Sequence, residues 1–253
     1  MKRMLFGILS VAVLERFFPI RRIPIFRNGF VSDLGFYAII QPQLISYAGE
    51  HLPTLFNGVG TLATRPFWLR FAASFLVFEL GHYLLHRAAH RWDFLWAFHE
   101  VHHSSTQIDW LAGARSHAVD TAMRNALTVT VFSLVGTGPE IAGILGALNV
   151  VFGAFQHANI RLKTNRLSRY LLMTPDMHRL HHLNSPRHQR SNYGNTITAL
   201  DWLFGTAAEP EDRLRDSLDY GTGTPYPQFF WGQNIQALRN FREALRSSLA
   251  APT

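Results

Sequence analysis

Residues 99–103 of the chain read HEVHH, a string that fits two different metal-binding patterns. It fits HExxH, in which two histidines one helical turn apart bind zinc and the glutamate acts as the general base of a protease. It also fits HxxHH, in which His99, His102 and His103 share one face of a helix. The first pattern predicts a small zinc site with Glu100 as base, and the second indicates a larger metal centre.

Two further strings place histidines at helical spacing. HRAAH puts His86 and His90 four residues apart, and HRLHH repeats the HxxHH spacing at His178, His181 and His182. A catalytic zinc site takes three protein ligands, so eight imidazoles exceed what one ion can use. Eight to ten nitrogens fit two ions with four or five ligands each. The chain has no cysteine, and a metal must therefore be bound by nitrogen or oxygen. Imidazole binds iron, zinc and copper alike, so the ligand type does not choose the metal.

Two other metal chemistries account for less of this pattern. A protease needs only His99, His103, a third ligand and Glu100, which leaves HRAAH and HRLHH without a role. A carboxylate-type di-iron bundle needs glutamates from two helices and Glu-x-x-His from two others, whereas glutamates outside the two matching strings have no such context. A membrane zinc metalloprotease using His99–His103 is kept as the alternative function.

The composition favours a membrane protein. The 253 residues are 47% hydrophobic and 16% charged, with a net charge of +7, and the basic residues flank apolar stretches, as in cytoplasmic loops, rather than forming runs typical of nucleic-acid binding. Residues 67–86 are long enough to cross a bilayer core of roughly 30 Å. Residues 34–62 predict a kinked span or a re-entrant pair, and residues 119–157 predict a helical hairpin around GTGP.

These features predict one domain over residues 1–253. Its expected fold is all-α: an integral-membrane bundle of about four membrane helices or helical hairpins. A histidine-rich cap would face the cytoplasm, and no nucleic-acid partner is expected.

From about Glu79 to Thr206 the sequence resembles the fatty acid hydroxylase / sterol desaturase superfamily of integral-membrane di-iron enzymes. The resemblance is carried, in this order, by ELGHYLLHRAAH, LWAFHEVHHSS, FQHANIRL, TPDMHRLHH, SNYG and LDWLFGT. In RSHAVD, Ala118 and Asp120 replace the proline and glutamate that usually follow this histidine in the family. The resemblance implies ten metal-binding histidines: His86, His90, His99, His102, His103, His117, His157, His178, His181 and His182.

The chemistry that the resemblance implies is O₂-dependent oxidation at a centre of two iron ions. The enzyme would hydroxylate or desaturate an unactivated C–H bond of a lipid-like substrate. No GxGxxG, P-loop or haem motif is present, so two electrons would come from an external donor such as a ferredoxin or a cytochrome b5-like protein. Zinc would replace iron after overexpression, because it binds such sites more tightly.

Metal-binding imidazoles usually donate their second N–H to an acceptor. Four acids near the histidines are candidates for that role: Glu79, Glu100, Asp176 and Asp201.

Overall fold

The structure is a computed structural model that describes residues 2–40, 60–210 and 219–250. Within these ranges the chain is helical, and extended segments pair in two isolated bridges, Pro19 with Ile160 and Leu183 with Tyr220. The all-α prediction is therefore confirmed for the described residues. The helices are α1 (Lys2–Phe17), α2 (Phe30–Gly35) with a π-helical turn (Phe36–Ile40), α3 (Phe67–Arg91), α4 (Asp93–His103), a 3₁₀ turn (Ala112–Ala114), α5 (Ala118–Val135), α6 (Pro139–His157), α7 (Ser168–Leu171), α8 (Pro175–His181), α9 (Pro186–Gln189), α10 (Ala199–Leu203) and α11 (Phe230–Ala250).

A single residue separates α3 from α4. Trp92 adopts an extended backbone, with φ −114° and ψ 121°, and its N–H donates to the carbonyl of Ala88. Its own carbonyl accepts from the backbone N–H groups of Leu95 and Trp96, so that α4 begins at once in a new direction. This elbow brings the ring of His90 to 4.9 Å from that of His99. Two histidine clusters that are separate in the sequence thereby face each other.

The hairpin predicted around GTGP is formed by α5 and α6. Gly136 ends α5 in the left-handed conformation, at φ 78°, and a Cβ there would lie 2.7 Å from the backbone of Ala63. Pro139 then occupies the first turn of α6, where its missing N–H costs nothing. Phe78 of α3 packs between the two arms, in a cluster completed by Val131, Phe132, Ile141 and Leu145.

The predicted set of about four membrane helices is not confirmed. Within the described ranges, α6 is the one helix long and apolar enough to cross a membrane, and 22% of that apolar stretch is buried. The predicted span 67–86 is helical as part of α3, although Arg70, Glu79 and His82 reduce its apolar character. Most of the apolar region 34–62 lies outside the described residues.

The last described helix, α11, covers the outer side of α4. Its inward residue Ala237 packs with Phe36, Phe98 and Val101 in a buried cluster. Gln233 of the same face accepts a hydrogen bond from Ser32 at 2.8 Å. Helix α11 therefore fixes α4 from the side opposite the histidines of α3.

Candidate metal centre

Nine of the ten predicted histidines converge on two adjoining points. In each group, one nitrogen of every ring lies within 4.8 Å of the corresponding nitrogens of the others. The five-histidine group consists of His86, His90, His99, His103 and His181, and the four-histidine group consists of His102, His157, His178 and His182. The groups are neighbours, since the rings of His103 and His182 stack with centroids 4.3 Å apart.

Helix geometry explains how the two HxxHH strings divide. Residues four apart on a helix differ by about 40° in direction, whereas consecutive residues differ by about 100°. Helix α4 therefore sends His99 and His103 to one group and His102 to the other. The end of α8 does the reverse: His178 and His182 join the four-histidine group, and the intervening His181 joins the five-histidine group.

The five-histidine group has the donor atoms that a cation requires. The Nε2 atoms of its five rings are buried, and none makes a hydrogen bond within the described part of the chain. A buried polar atom without a partner is costly, and unpaired groups in native structures usually reflect an ion or a water. Five such nitrogens at one point fit a metal ion.

The four-histidine group leads to the same conclusion from a different geometry. His157 Nε2 lies 3.0, 3.1 and 3.2 Å from the Nε2 atoms of His178, His102 and His182. The Nδ1 atoms of His102 and His157 face carbonyl oxygens, which assigns the proton of each neutral ring to Nδ1. Their Nε2 lone pairs then point at one another, and a shared cation is the arrangement that satisfies them.

Backbone carbonyls, rather than the predicted acids, orient four of the nine rings. Nδ1 faces the carbonyl oxygen of Tyr193 in His86 (3.0 Å), of Arg115 in His102 (2.9 Å), of Gly153 in His157 (2.7 Å) and of Ser191 in His181 (2.7 Å). Such contacts fix the tautomer that leaves Nε2 free to bind a metal.

The four predicted acids accept hydrogen bonds from backbone and side-chain groups around the histidines. Their carboxylates accept from other groups: Glu79 from the N–H groups of Thr196 and Ile197, Glu100 from Asn240, Asp176 from Thr164 and Thr174, and Asp201 from the N–H groups of Tyr193 and Gly194. Glu79 and Asp201 therefore hold the segment 193–197, which in turn supplies the carbonyl acceptor of His86. Glu79 and Asp201 therefore influence the ring of His86 indirectly, through the backbone, because the carbonyl of Tyr193 occupies the position next to His86 Nδ1.

Sequence reasoning missed Asn192 as an organiser of this segment. Asn192 has φ 53°, a left-handed conformation that asparagine tolerates better than most residues. Its side-chain amide donates to the carbonyls of Met177 and Ala208 at 3.0 and 2.9 Å. The carbonyls on either side of it, from Ser191 and Tyr193, are the two that accept from histidines of the five-histidine group. The asparagine of the SNYG string was the available signal, since asparagine adopts positive φ more readily than most residues.

His117 is the predicted ligand that the structure does not bring to either group. It precedes α5 and caps it, because its Nδ1 accepts from the N–H of Val119 at 3.1 Å. Its ring lies against Phe98, with centroids 4.9 Å apart. The resemblance implied a metal ligand at this position, whereas in the structure the side chain supplies an acceptor that the start of the helix needs.

The buried rings are neutral at physiological pH. Burial, followed by the proximity of other imidazoles, lowers the pKa of His181 to about 3. The same two causes hold the pKa of the other histidines near α4 and α8 well below the usual range: His102, His103, His178 and His182. Neutral imidazole is the form that binds a metal.

Asp120 is a carboxylate that contacts an imidazole directly. Its Oδ2 lies 3.3 Å from His99 Nδ1 and 3.3 Å from Arg124 Nε.

We expect Asp120→Asn to weaken metal retention about 10- to 100-fold, because the amide removes the charge and half of the acceptor capacity that orients His99. Chelator titration of the metal-loaded protein measures this. Asp93→Asn, an exposed carboxylate on α4, is the control, and equal retention by both variants would contradict the role of Asp120.

The comparison with known families agrees with this site. The sequence profile described as fatty acid hydroxylase matches residues 71–206, more than half of the chain, so the chain belongs to this family. All nine grouped histidines lie inside the matched region. The resemblance seen in the sequence is thereby confirmed, and the protease alternative receives no support.

Individual relatives are lipid enzymes by name. The chain is 32% identical over 135 residues to ornithine lipid hydroxylase of Rhizobium tropici, covering 53% of this chain and 40% of the relative. It is 28% identical over 158 residues to alkylglycerol monooxygenase of Danio rerio, covering 60% and 33%. It is 27% identical over 147 residues to a very-long-chain aldehyde decarbonylase of Oryza sativa subsp. japonica, covering 54% and 22%. The chain thus spans less than half the length of these relatives, and no solved structure matches it.

Proposed function

We propose that this chain is a membrane-bound di-iron oxygenase that hydroxylates an unactivated C–H bond of a lipid-like substrate. The observation that carries the proposal is the convergence of nine imidazoles, seven of them buried and two half-buried, into groups of five and four, in a chain of the fatty acid hydroxylase family. The names hydroxylase and monooxygenase among the relatives favour hydroxylation over desaturation.

In this proposal each histidine group binds one iron ion. The two ions would supply the reductive activation of O₂, with two electrons from an external ferredoxin or cytochrome b5-like donor. The residues of the chain exclude water from the centre and orient the rings through the carbonyls of Tyr193, Arg115, Gly153 and Ser191. Preorganised ligands of this kind need little rearrangement when the metal binds.

The proposed location is a membrane, with the histidine groups on the cytoplasmic side. Helix α6 is apolar and little buried, and it ends at His157, in the four-histidine group. The residues directly after it include the exposed Arg161, Lys163 and Arg166, and basic residues next to a span favour the cytoplasmic side. The same basic segment suits contact with an acidic electron donor.

The proposal is tested by metal analysis together with isotope incorporation. Protein purified without oxygen and loaded with ferrous iron should hold two irons per chain. With a reductant, a reductase and a ferredoxin, it should transfer one atom of ¹⁸O₂ to a lipid, with ornithine lipids and alkylglycerols as the first substrates. A single metal ion per chain, or product oxygen derived only from water, would refute it.

Glu100 distinguishes an oxygenase from a zinc protease. Its Oε2 accepts from Asn240 of α11 at 2.6 Å, on the side of α4 away from both histidine groups. We expect Glu100→Gln to keep both metals and to lower oxidation by less than about threefold, whereas loss of a general base costs about 10²–10⁴-fold. His103→Ala serves as the comparison that removes a ligand. Full metal occupancy with abolished oxidation in Glu100→Gln would assign Glu100 a direct part in the chemistry.

A further inference from the structure

A cleft of about 200 Å³ lies between α3 and α6, and none of the nine grouped histidines is among its walls. The wall residues are mostly apolar, with three polar side chains at one end. They are Phe75, Phe78, Leu145, Leu148 and Phe152, followed by the polar Glu79, Asn149 and Thr196.

The apolar end of the cleft reaches the outer surface of α6. Leu148 lines the cleft and is 52% exposed, and Ile144, one turn earlier on the same helix, is 40% exposed without lining it. Helix α6 is the helix that is long and apolar enough to cross a membrane among the described residues. In a bilayer, this opening would therefore face lipid chains rather than water.

The polar end of the cleft adjoins the segment that positions the histidines. Asn195 donates to Glu79 Oε1 at 3.2 Å and to Asn149 Oδ1 at 3.1 Å. Two residues earlier, the carbonyl of Tyr193 lies against His86 Nδ1. On the other side, Gln156, which precedes His157, donates to the carbonyl of Asn195. The inner end thus lies one short backbone segment away from ligands of both groups.

We propose that this cleft binds one unbranched hydrocarbon chain of a bilayer lipid and guides it from the Leu148 opening towards residues 193–196. This inference rests on the proposed function and narrows its substrate to lipids with linear chains. At about 30 Å³ for each group the size of a water molecule, the cleft holds about six or seven such groups. That suits a segment of one chain, whereas a fused-ring sterol requires a pocket of the size usual for drug-like ligands, roughly 300 Å³ or more.

The fit of the lipid chain to the cleft, rather than the hydrophobic effect, must determine what binds there. A lipid chain leaves one apolar environment for another when it moves from the bilayer into the cleft, so the hydrophobic effect provides little driving force. Binding then depends on packing against the aromatic walls of α3 and α6. A substitution that fills the space is therefore expected to block the site.

The test is photolabelling of the whole protein in lipid nanodiscs. The probe is a phosphatidylcholine with a diazirine in the middle of one acyl chain, and labelled residues are mapped by mass spectrometry. The wild type should be labelled on the inner walls, at Phe78 and Leu145. Leu148→Trp should reduce labelling of these two residues about fivefold or more by filling the opening, whereas Ile144→Trp should leave it unchanged.

Two further measurements make each outcome decisive. In Leu148→Ala, which widens the opening, the inner walls should be labelled at least as strongly as in the wild type. This variant tests the cleft independently if Leu148→Trp fails to fold. Inner-wall labelling that is no stronger than labelling of Leu134, which is 67% exposed on the surface of α5, would overturn the proposal. Equal labelling in Leu148→Trp and the wild type would overturn it as well.

The same samples separate this inference from the proposed function. Iron content and ¹⁸O incorporation into an alkylglycerol are measured for each variant. Loss of labelling and of oxidation in Leu148→Trp, with both irons retained, supports the cleft as the substrate site. Unchanged oxidation together with lost labelling would show that the cleft is not the substrate site, while the proposed oxygenase function would still hold. Specific labelling in a protein without oxygenase activity supports the chain site and refutes the enzyme function.

Discussion

Alanine at His182 should leave the protein with one metal ion and no measurable oxidation, whereas alanine at His181 should weaken the other site without emptying it. The two residues are consecutive, yet His181 belongs to the five-histidine group and His182 to the four-histidine group. Removing His182 leaves three nitrogens for its ion, and removing His181 leaves four for the other. Each lost ligand removes part of the metal-binding free energy, so the site left with three nitrogens should lose its ion before the site left with four.

Metal content by mass spectrometry and ¹⁸O₂ incorporation measure the two effects. His182→Ala should hold one iron, and His181→Ala should hold two at saturating iron but release one to a chelator sooner than the wild type. His188→Ala is the matched control, because His188 lies six residues further along, contacts Ser185 Oγ at 2.9 Å and belongs to neither group. Two firmly bound ions in His182→Ala would contradict the division of the histidines into these groups.

Replacing Asp33 by alanine should cause the largest loss of stability. Asp33 lies between two arginines: its Oδ2 is 2.7 Å from Arg27 Nη2, and its Oδ1 is 2.5 Å from Arg115 Nε. Arg27 also pairs with Asp109 at 2.5 Å, which gives a neutral set of four charged side chains, each at most 2% exposed. Removing one partner of a buried ion pair costs about 3–5 kcal/mol, because the remaining charge is left without compensation.

The loss should extend to the four-histidine group. The carbonyl of Arg115 faces Nδ1 of His102 at 2.9 Å, so movement of this backbone disturbs a proposed metal ligand. Thermal unfolding in detergent, with and without added iron, measures both consequences for Asp33→Ala. Asp93→Ala, at the exposed start of α4, should change stability by less than about 1 kcal/mol. A free energy of unfolding for Asp33→Ala within that range would show that the network contributes little.

The sequence by itself determined which side chains could bind metal and how each cluster is spaced. The i, i+4 pairs His86–His90, His99–His103 and His178–His182 each reach a single group, as the helical period requires. The turn at GTGP was equally readable, because Gly136 and Pro139 have local conformational preferences that do not depend on the remainder of the fold. Family membership followed from the same strings.

The tertiary structure alone decided how the clusters combine. The local sequence does not show that His102 belongs to the same group as His182 rather than to the group of His99 and His103. That assignment depends on how α4 and the end of α8 are placed relative to each other. The same placement puts backbone carbonyls, which every residue carries and no sequence pattern marks, where carboxylates were expected. It also leaves His117 as a helix cap. Helical spacing is set by backbone geometry over a few residues, whereas these partnerships join segments that are distant in the chain, and only the packed fold brings them together.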